Sequence, residues 1–409
     1  MPDVSVLEVL LHGEPIGTLT LVPGDRTLFA FNQSYIDDPA RPTLSLSFKD
    51  TLGELIADIP VTRTRVPPFF ANMLPEGAMR DYLALRAGVN PQREFFLLWV
   101  LGKDLPGAVT IAPADAEAWP PAANEEDDAE GVGDRRRHAL RFSLAGVQLK
   151  LSAVKEATGG LTIPAQGVGG AWIVKLPSTM HAGVPENEYA MMRLAGMLGM
   201  NVPEIQLVEL GAIAGLPEGI GERKGRALAV KRFDRTAADG PVHVEDFAQI
   251  FGVYPGDKYK KASYRNIVEV IAAEAGTDGV AEFIRRLVFN TLIGNADMHL
   301  KNWSLIYSDR RNAALAPAYD FVSTIPYIRD DKAALKYART RRMSELSRDE
   351  LAYMAGKARL PERLVLDTAA DTVARFHATW RTEKKNLPLT KAQIAAIEAH
   401  VKTVPIARE

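Results

Sequence analysis

The 409-residue sequence has no cysteine. That excludes disulfides, thiolate metal sites and cysteine nucleophiles, and it fits a reducing compartment. Charge of one sign is also lacking. The 49 basic residues nearly cancel the 51 acidic ones, so no global field draws the chain to nucleic acid or to an anionic membrane. No segment approaches the roughly 20 apolar residues of a bilayer span. The start, "MPDVSVLEVLLHGEPIG", lacks the basic and long apolar regions of a secretory leader. These absences predict a cytoplasmic protein without membrane contact, touching nucleic acid locally or through a partner.

What is present suits a soluble protein of two or three domains, with 47% hydrophobic and 24% charged residues. One stretch cannot form a packed core. Residues 113–137, "PADAEAWPPAANEEDDAEGVGDRRR", hold proline pairs, an acidic run and a basic run, and read as a linker or surface loop. Before it, "VSVLEVLLHGEPIGTLTLVPGDRTLFAF" alternates apolar and polar residues around Gly and Pro turns, which predicts antiparallel strands. "PEGAMRDYLALRAG" and "REFFLLWVLG" follow with helical patterns, so residues 1–112 form a small α+β domain. Residues 138–240 carry four strand-like pieces, "QLKLSAV", "AWIVKLP", "IQLVELG" and "ALAVKRF". One helical stretch, "PENEYAMMRLAGMLGM", interrupts them. Residues 241–409 are mostly helical. The predicted class is α+β: a small domain, a linker, a β-rich lobe and a helical lobe.

The densest chemistry lies in "GNADMHLKNWSLIY", residues 294–307, where polar groups crowd between a helix and a strand. Asp297 is followed by Asn302, and 18 residues further on stands Asp320 in "APAYDFVST". Phosphoryl transfer needs such a set: one Asp to orient and deprotonate a hydroxyl, and an Asn and a second Asp as hard oxygen ligands for magnesium. An Asx-rich loop that only satisfies turn backbone is the plainer reading of either piece alone. The β-rich lobe supplies a partner in Lys175, a lysine inside the apolar "AWIVKLP" that needs a counter-anion. Nucleotide phosphates would serve, as would Glu186 or Glu188 in the next helix, and a lysine snorkelling from an edge strand is the competing account. Ala145-Gly146 in "FSLAGVQLKLSAV" offers a small-residue turn before a strand, far less specific than a GxGxxG loop.

In order and spacing, "FSLAGVQLK", "WIVKLP", "VPENEYAMMRLAGMLGMNVP", "ALAVKRFDR", "EDFAQIFG", "GNADMHLKN" and "AYDFVS" resemble the HipA-type serine/threonine kinases, toxins of bacterial toxin–antitoxin pairs. The resemblance spans essentially the whole chain. It implies an atypical two-lobed protein-kinase-like fold using ATP and Mg2+, with Asp297 catalytic and Asn302 and Asp320 holding the metal. It further implies nucleotide contacts from Ala145, Gly146, Val147, Gln148, Lys175, Lys231, Arg232, Phe233, Gln249, His299, Lys301 and Tyr319, and autophosphorylation at Ser143. The family commonly has an acidic residue at the position of Lys231. Implied partners are a protein substrate, in some members an aminoacyl-tRNA synthetase, and a HipB-like helix-turn-helix antitoxin through which alone DNA would be reached.

Other functions fit parts of the pattern. Asp297, His299 and Asp320 could form a hydrolase metal site, but no further histidine lies at ligand spacing. A small-molecule kinase would use the same groups. A pseudokinase acting only as a corepressor would need none of Lys175, Asp297, Asn302 and Asp320, and all four are present.

Overall fold

The structure is a computed structural model describing residues 5–114, 150–155, 161–163, 170–216, 224–236 and 240–408. The alternating N-terminal segment folds as expected into β1 (Val6–Leu11), β2 (Glu14–Val22) and β3 (Arg26–Phe31). With β4 (Thr62–Arg63) and β5 (Val109–Pro113) they form an antiparallel sheet in the order β4-β3-β2-β1-β5. Pro113 is thus the last residue of a strand. Helices Gly77–Arg86 and Glu94–Leu101 accompany this sheet. Its core includes Phe29, Phe31, Phe48, Phe69 and Phe70, whose rings meet mainly edge to face, a favoured aromatic geometry.

The second sheet is built from β6 (Lys150–Lys155), β7 (Leu161–Thr162), β8 (Trp172–Lys175), β9 (Ile205–Glu209), β10 (Ile213–Ala214) and β11 (Arg226–Lys231). Their order is β10-β7-β6-β8-β11-β9. All four strand-like pieces of the sequence contribute a strand to it, the first from Lys150 onward, and β8 is central, flanked by β6 and β11. Helix Val184–Met197 packs on β9 and β11 while its Ala190, Met191 and Met192 enter the core of the helical lobe. One amphipathic element therefore belongs to both lobes.

After the ribbon β12 (Arg235–Thr236) and β13 (Gly240–Pro241), strand β14 (His243–Asp246) pairs with β15 (Ser304–Tyr307), and β15 with β16 (Ala314–Leu315). The helical lobe centres on Tyr264–Leu292, which opens with a Ser263–Asn266 capping box, bends at Gly276 (φ 63°) and packs on Glu362–Glu383. Gly294, at φ 66°, ends this run in the left-handed conformation that suits glycine. A Cβ there would lie 2.9 Å from Ile325 Cβ. The chain is thereby turned straight into the polar stretch that begins at Asn295.

The small N-terminal domain is bonded to both lobes. On the β side, Asp104 accepts from Arg232 (2.9 Å) and Arg235 (3.0 Å), Arg232 grips Asp234 with two bonds of 2.9 Å, and Asp234 accepts from the Gly107 amide at 2.8 Å. On the helical side, Asn72 Nδ2 donates to Val253 O at 2.7 Å, and Glu245 accepts from Ser45, from the Leu46 amide and from Tyr307. Arg232, Asp104 and Asp234 offset one another's burial in part, whereas the donors to Glu245 are neutral.

Candidate active site

A cavity of about 920 Å³ lies between the two lobes and is closed on one side by the N-terminal domain. Its volume is in the range that takes a drug-sized or nucleotide-sized ligand. Lys175, Lys231, Arg232, Phe233, Gln249, Asp297, His299, Lys301, Asn302, Tyr319 and Asp320, all expected site residues, line it together. Ser143, Ala145, Gly146, Val147 and Gln148 lie outside the described residues.

Lys175 ends the central strand β8 and is 4% exposed, so the snorkelling account fails. Its ammonium contacts both Glu188 and Asp320. Of the two glutamates open to it in the sequence, Glu188 holds the lysine, while Glu186 binds Arg226 at 3.1 Å. Helix geometry explains the choice: residues two apart point to opposite sides, so only one can face the sheet. Lys150 lies opposite Lys175 across the β6–β8 pairing and reaches the other oxygen of Asp320 at 3.0 Å. Two cations and two carboxylates thus balance. Burial opposes the charge on Lys175, but Asp320 and Glu188 outweigh it and raise its pKa above the ordinary lysine value. Burial likewise opposes ionisation of Asp320, yet Lys150 and Lys175 hold its carboxyl well below the usual range. Asp320 also takes the left-handed backbone, φ 57°, a conformation Asp tolerates better than most residues but one that costs energy.

The polar stretch after Gly294 is a braced loop. Asn295 Oδ1 accepts from the Asp297 amide at 3.0 Å, while its Nδ2 donates to Asn290 Oδ1 at 2.8 Å and to Asp320 O at 3.4 Å. Asn302, on the short turn Leu300–Asn302, donates Nδ2 to the Asp297 carbonyl at 2.7 Å. That bond leaves its Oδ1 as an acceptor. The Asn302 and Asp320 oxygens are hard donors suited to magnesium, which takes one or two protein ligands and completes its shell with phosphate and water. No cluster of three His, Cys, Asp or Glu able to hold a metal occurs among the described residues. Asp297 accepts a hydrogen bond from the Tyr259 hydroxyl.

The remaining expected residues differ in what their side chains are doing. His299 is 6% exposed, burial pushes its pKa down to about 4, and its buried Nδ1 has no partner among the described residues. It is a neutral imidazole facing the cavity. The rings of Phe233 and Tyr319 lie 5.8 Å apart at one wall, and Tyr319 donates to Lys301 O at 2.8 Å. Gln249 is committed at both ends of its carboxamide, capping Asp246 at 2.8 Å and donating to Phe69 O at 3.0 Å. The guanidinium of Arg232 is likewise taken by Asp104 and Asp234, and Lys231 turns to Glu204 at 3.3 Å.

Glu76, Lys258 and Asp246 also line the site and carry no mark in the sequence. Glu76 of the N-terminal domain accepts from Lys301 at 2.7 Å and from Lys258 at 2.8 Å. Burial would raise its pKa, but these two ammoniums pull it down to about 2. Asp246, half-buried at the N-cap of helix Phe247–Ile250, is pushed up to about 6 by desolvation. No local pattern could reveal that Glu76 meets Lys301, 225 residues later.

The HipA N-terminal domain family matches residues 7–112, and the HipA-like C-terminal domain family matches residues 142–380. Y4dM of Sinorhizobium fredii, whose name provisionally calls it a kinase, is 60% identical over 412 residues, spanning 100% of this chain and 99% of Y4dM. The serine/threonine-protein kinase toxin HipA of Shewanella oneidensis is 27% identical over 98% of this chain and 94% of that protein. A chain from the solved Shewanella oneidensis MR-1 toxin–antitoxin complex of HipA, HipB and operator DNA shares the fold. Its TM-score is 0.72 at 23% identity, covering 98% of this chain and 96% of that one.

Proposed function

The chain belongs to the HipA family, and from that premise we propose that it is an ATP- and Mg2+-dependent protein serine/threonine kinase acting as a toxin. The observation that carries the reading is the balanced group of Lys150, Lys175, Glu188 and Asp320 in one cavity with Asp297 and Asn302. Bound magnesium-ATP would supply the phosphoryl group and the divalent charge that offsets it. Asn302 and Asp320 would hold the metal by their side-chain oxygens, and Lys175 would turn from the carboxylates to the phosphates. Backbone at Lys231 to Phe233 would border the adenine, with Phe233 and Tyr319 as apolar walls. Neutral His299 and Lys301 would line the phosphate end. Asp297 would orient the acceptor hydroxyl and receive its proton, within the reach a general base requires.

The substrate in this reading is a translation-related protein, an aminoacyl-tRNA synthetase being the class the family resemblance suggests. Restraint would come from a HipB-like antitoxin, supported by the complex in which the solved neighbour occurs. Phosphate placed on Ser143 would add roughly −1.5 to −2 charge beside the loop Ala145 to Gln148 and repel ATP. The test is incubation with radiolabelled ATP and magnesium. Label should enter the wild-type protein or an added acceptor, and Asp297→Asn should abolish it. Wild-type protein that binds magnesium-ATP yet transfers no label would leave the corepressor reading in its place.

A further inference from the structure

The hydroxyl of Tyr259 donates its hydrogen bond to Oδ1 of Asp297. In the kinase reading, that is the place and the polarity of an acceptor hydroxyl handing its proton to the base. Tyr259 is 40% exposed and meets two residues that line the cavity, Asp297 and His299. Asp297 does not depend on it for position, since Asn295 and Asn302 already fix the backbone there.

The turn carrying Tyr259 is held at both ends: the Lys260 amide donates to Asp257 O at 2.7 Å, and Ser263 caps the helix that follows. Lys258 is tied down through its ammonium to Glu76 at 2.8 Å and through its carbonyl to the Leu300 amide at 3.3 Å. After Tyr259 come Lys260, with a 72% exposed side chain, and Lys261, exposed and at φ 70° in the left-handed region where lysine is strained. Between them the Tyr259 ring rests edge-on against His299, with centroids 4.9 Å apart. The ring is held by the His299 edge contact, the Lys258 ammonium 5.8 Å from its centroid and one hydrogen bond, and being 40% exposed it can swing out about its own side-chain torsions without disturbing the core.

We propose that Tyr259 is a surrogate acceptor: its phenol fills the acceptor position on Asp297, keeps water out of it, and yields to the serine or threonine hydroxyl of an arriving protein. This rests on the kinase reading and gives it a guard against wasteful hydrolysis. Water admitted to the vacated position would attack the γ-phosphorus with Asp297 taking its proton, releasing ADP and inorganic phosphate.

The test is the initial rate of magnesium-ATP hydrolysis by the full chain without any protein acceptor. Tyr259→Phe keeps the ring against His299 and removes only the hydroxyl. Hydrolysis should rise roughly tenfold, the low end of what a hydrogen bond to a charged group is worth. Tyr259→Leu should raise it as well, which protects the test should either variant fold poorly by thermal melting. If wild type transfers phosphate but both folded variants hydrolyse ATP no faster than it does, the surrogate role is wrong and the kinase reading stands. If wild type and variants bind magnesium-ATP yet neither transfer nor hydrolyse it, the kinase reading falls and takes the surrogate role with it.

Discussion

Replacing Lys175 with methionine keeps the volume of the side chain and deletes its charge. The ammonium is 4% exposed and contacts Glu188 and Asp320 together, so its loss leaves two facing carboxylates with only Lys150 to offset them. Lys150 is half exposed and therefore screened. Removing one partner of a buried pair costs about 3–5 kcal/mol when the other charge is stranded. Here the cost has an outlet, because burial already raises the pKa of Glu188, and in the variant it can take up a proton. The expected loss of stability near neutral pH is therefore about 2–3 kcal/mol. A folded-state pKa raised above the unfolded one stabilises as pH falls, so the deficit should shrink between pH 7 and pH 5. Binding of magnesium-ATP should weaken roughly 10- to 150-fold, the equivalent of about 1.5–3 kcal/mol for a charge-assisted contact. Denaturant unfolding at the two pH values and calorimetric ATP titration measure both effects. A variant as stable as wild type at neutral pH, with unchanged ATP affinity, would refute the reasoning.

Asp297→Asn should abolish phosphoryl transfer with little change in melting temperature, since among the described residues the Asp297 carboxylate accepts a hydrogen bond from Tyr259 alone; residual transfer near the wild-type rate would remove Asp297 from the base role. Asp320→Asn should also abolish transfer but lower stability, because Lys175 and Lys150 lose their shared carboxylate, as denaturant unfolding would show. Glu76→Gln should free Lys301 and Lys258 and tighten magnesium-ATP binding roughly threefold, the scale of a partly exposed ion pair; weaker binding in a titration would mean that Glu76 instead orients those lysines. Glu245, buried against Ser45 and Tyr307 where the N-terminal domain docks, has a pKa pushed up to about 7 from 4.5, chiefly by burial. Its protonated form adds stability that is full below pH 4.5 and lost as pH rises through 7, at most about 3 kcal/mol. Glu245→Gln should flatten the unfolding free energy across that window, and an unaltered pH profile would count against it.

Much of this site was written locally. Asp297 and Asn302 lie five residues apart in one loop, and a lysine inside an apolar strand announced its need for a counter-charge, so neither required knowledge of the fold. The strands and helices were legible for the same reason: alternation and helical spacing record which face of each element is buried. The partners were not. Both Glu186 and Glu188 suited Lys175 on paper, and the phase of helix Val184–Met197 against the second sheet picked Glu188. Gln249 and Arg232 read as nucleotide contacts, yet their side chains fasten the N-terminal domain.

The sequence by itself determined the elements, their order and the chemical types gathered near Asp297 and Asp320, because these depend on periodicity and short spacing. Only the tertiary structure decided that Lys150 shares Asp320 with Lys175, that Glu76 reaches across from the N-terminal domain to Lys301, and that Tyr259 covers Asp297. Those contacts join residues 38 to 225 positions apart. A pairing over that distance leaves no periodic trace, since it is fixed by how whole elements pack and where buried charges find their counter-charges.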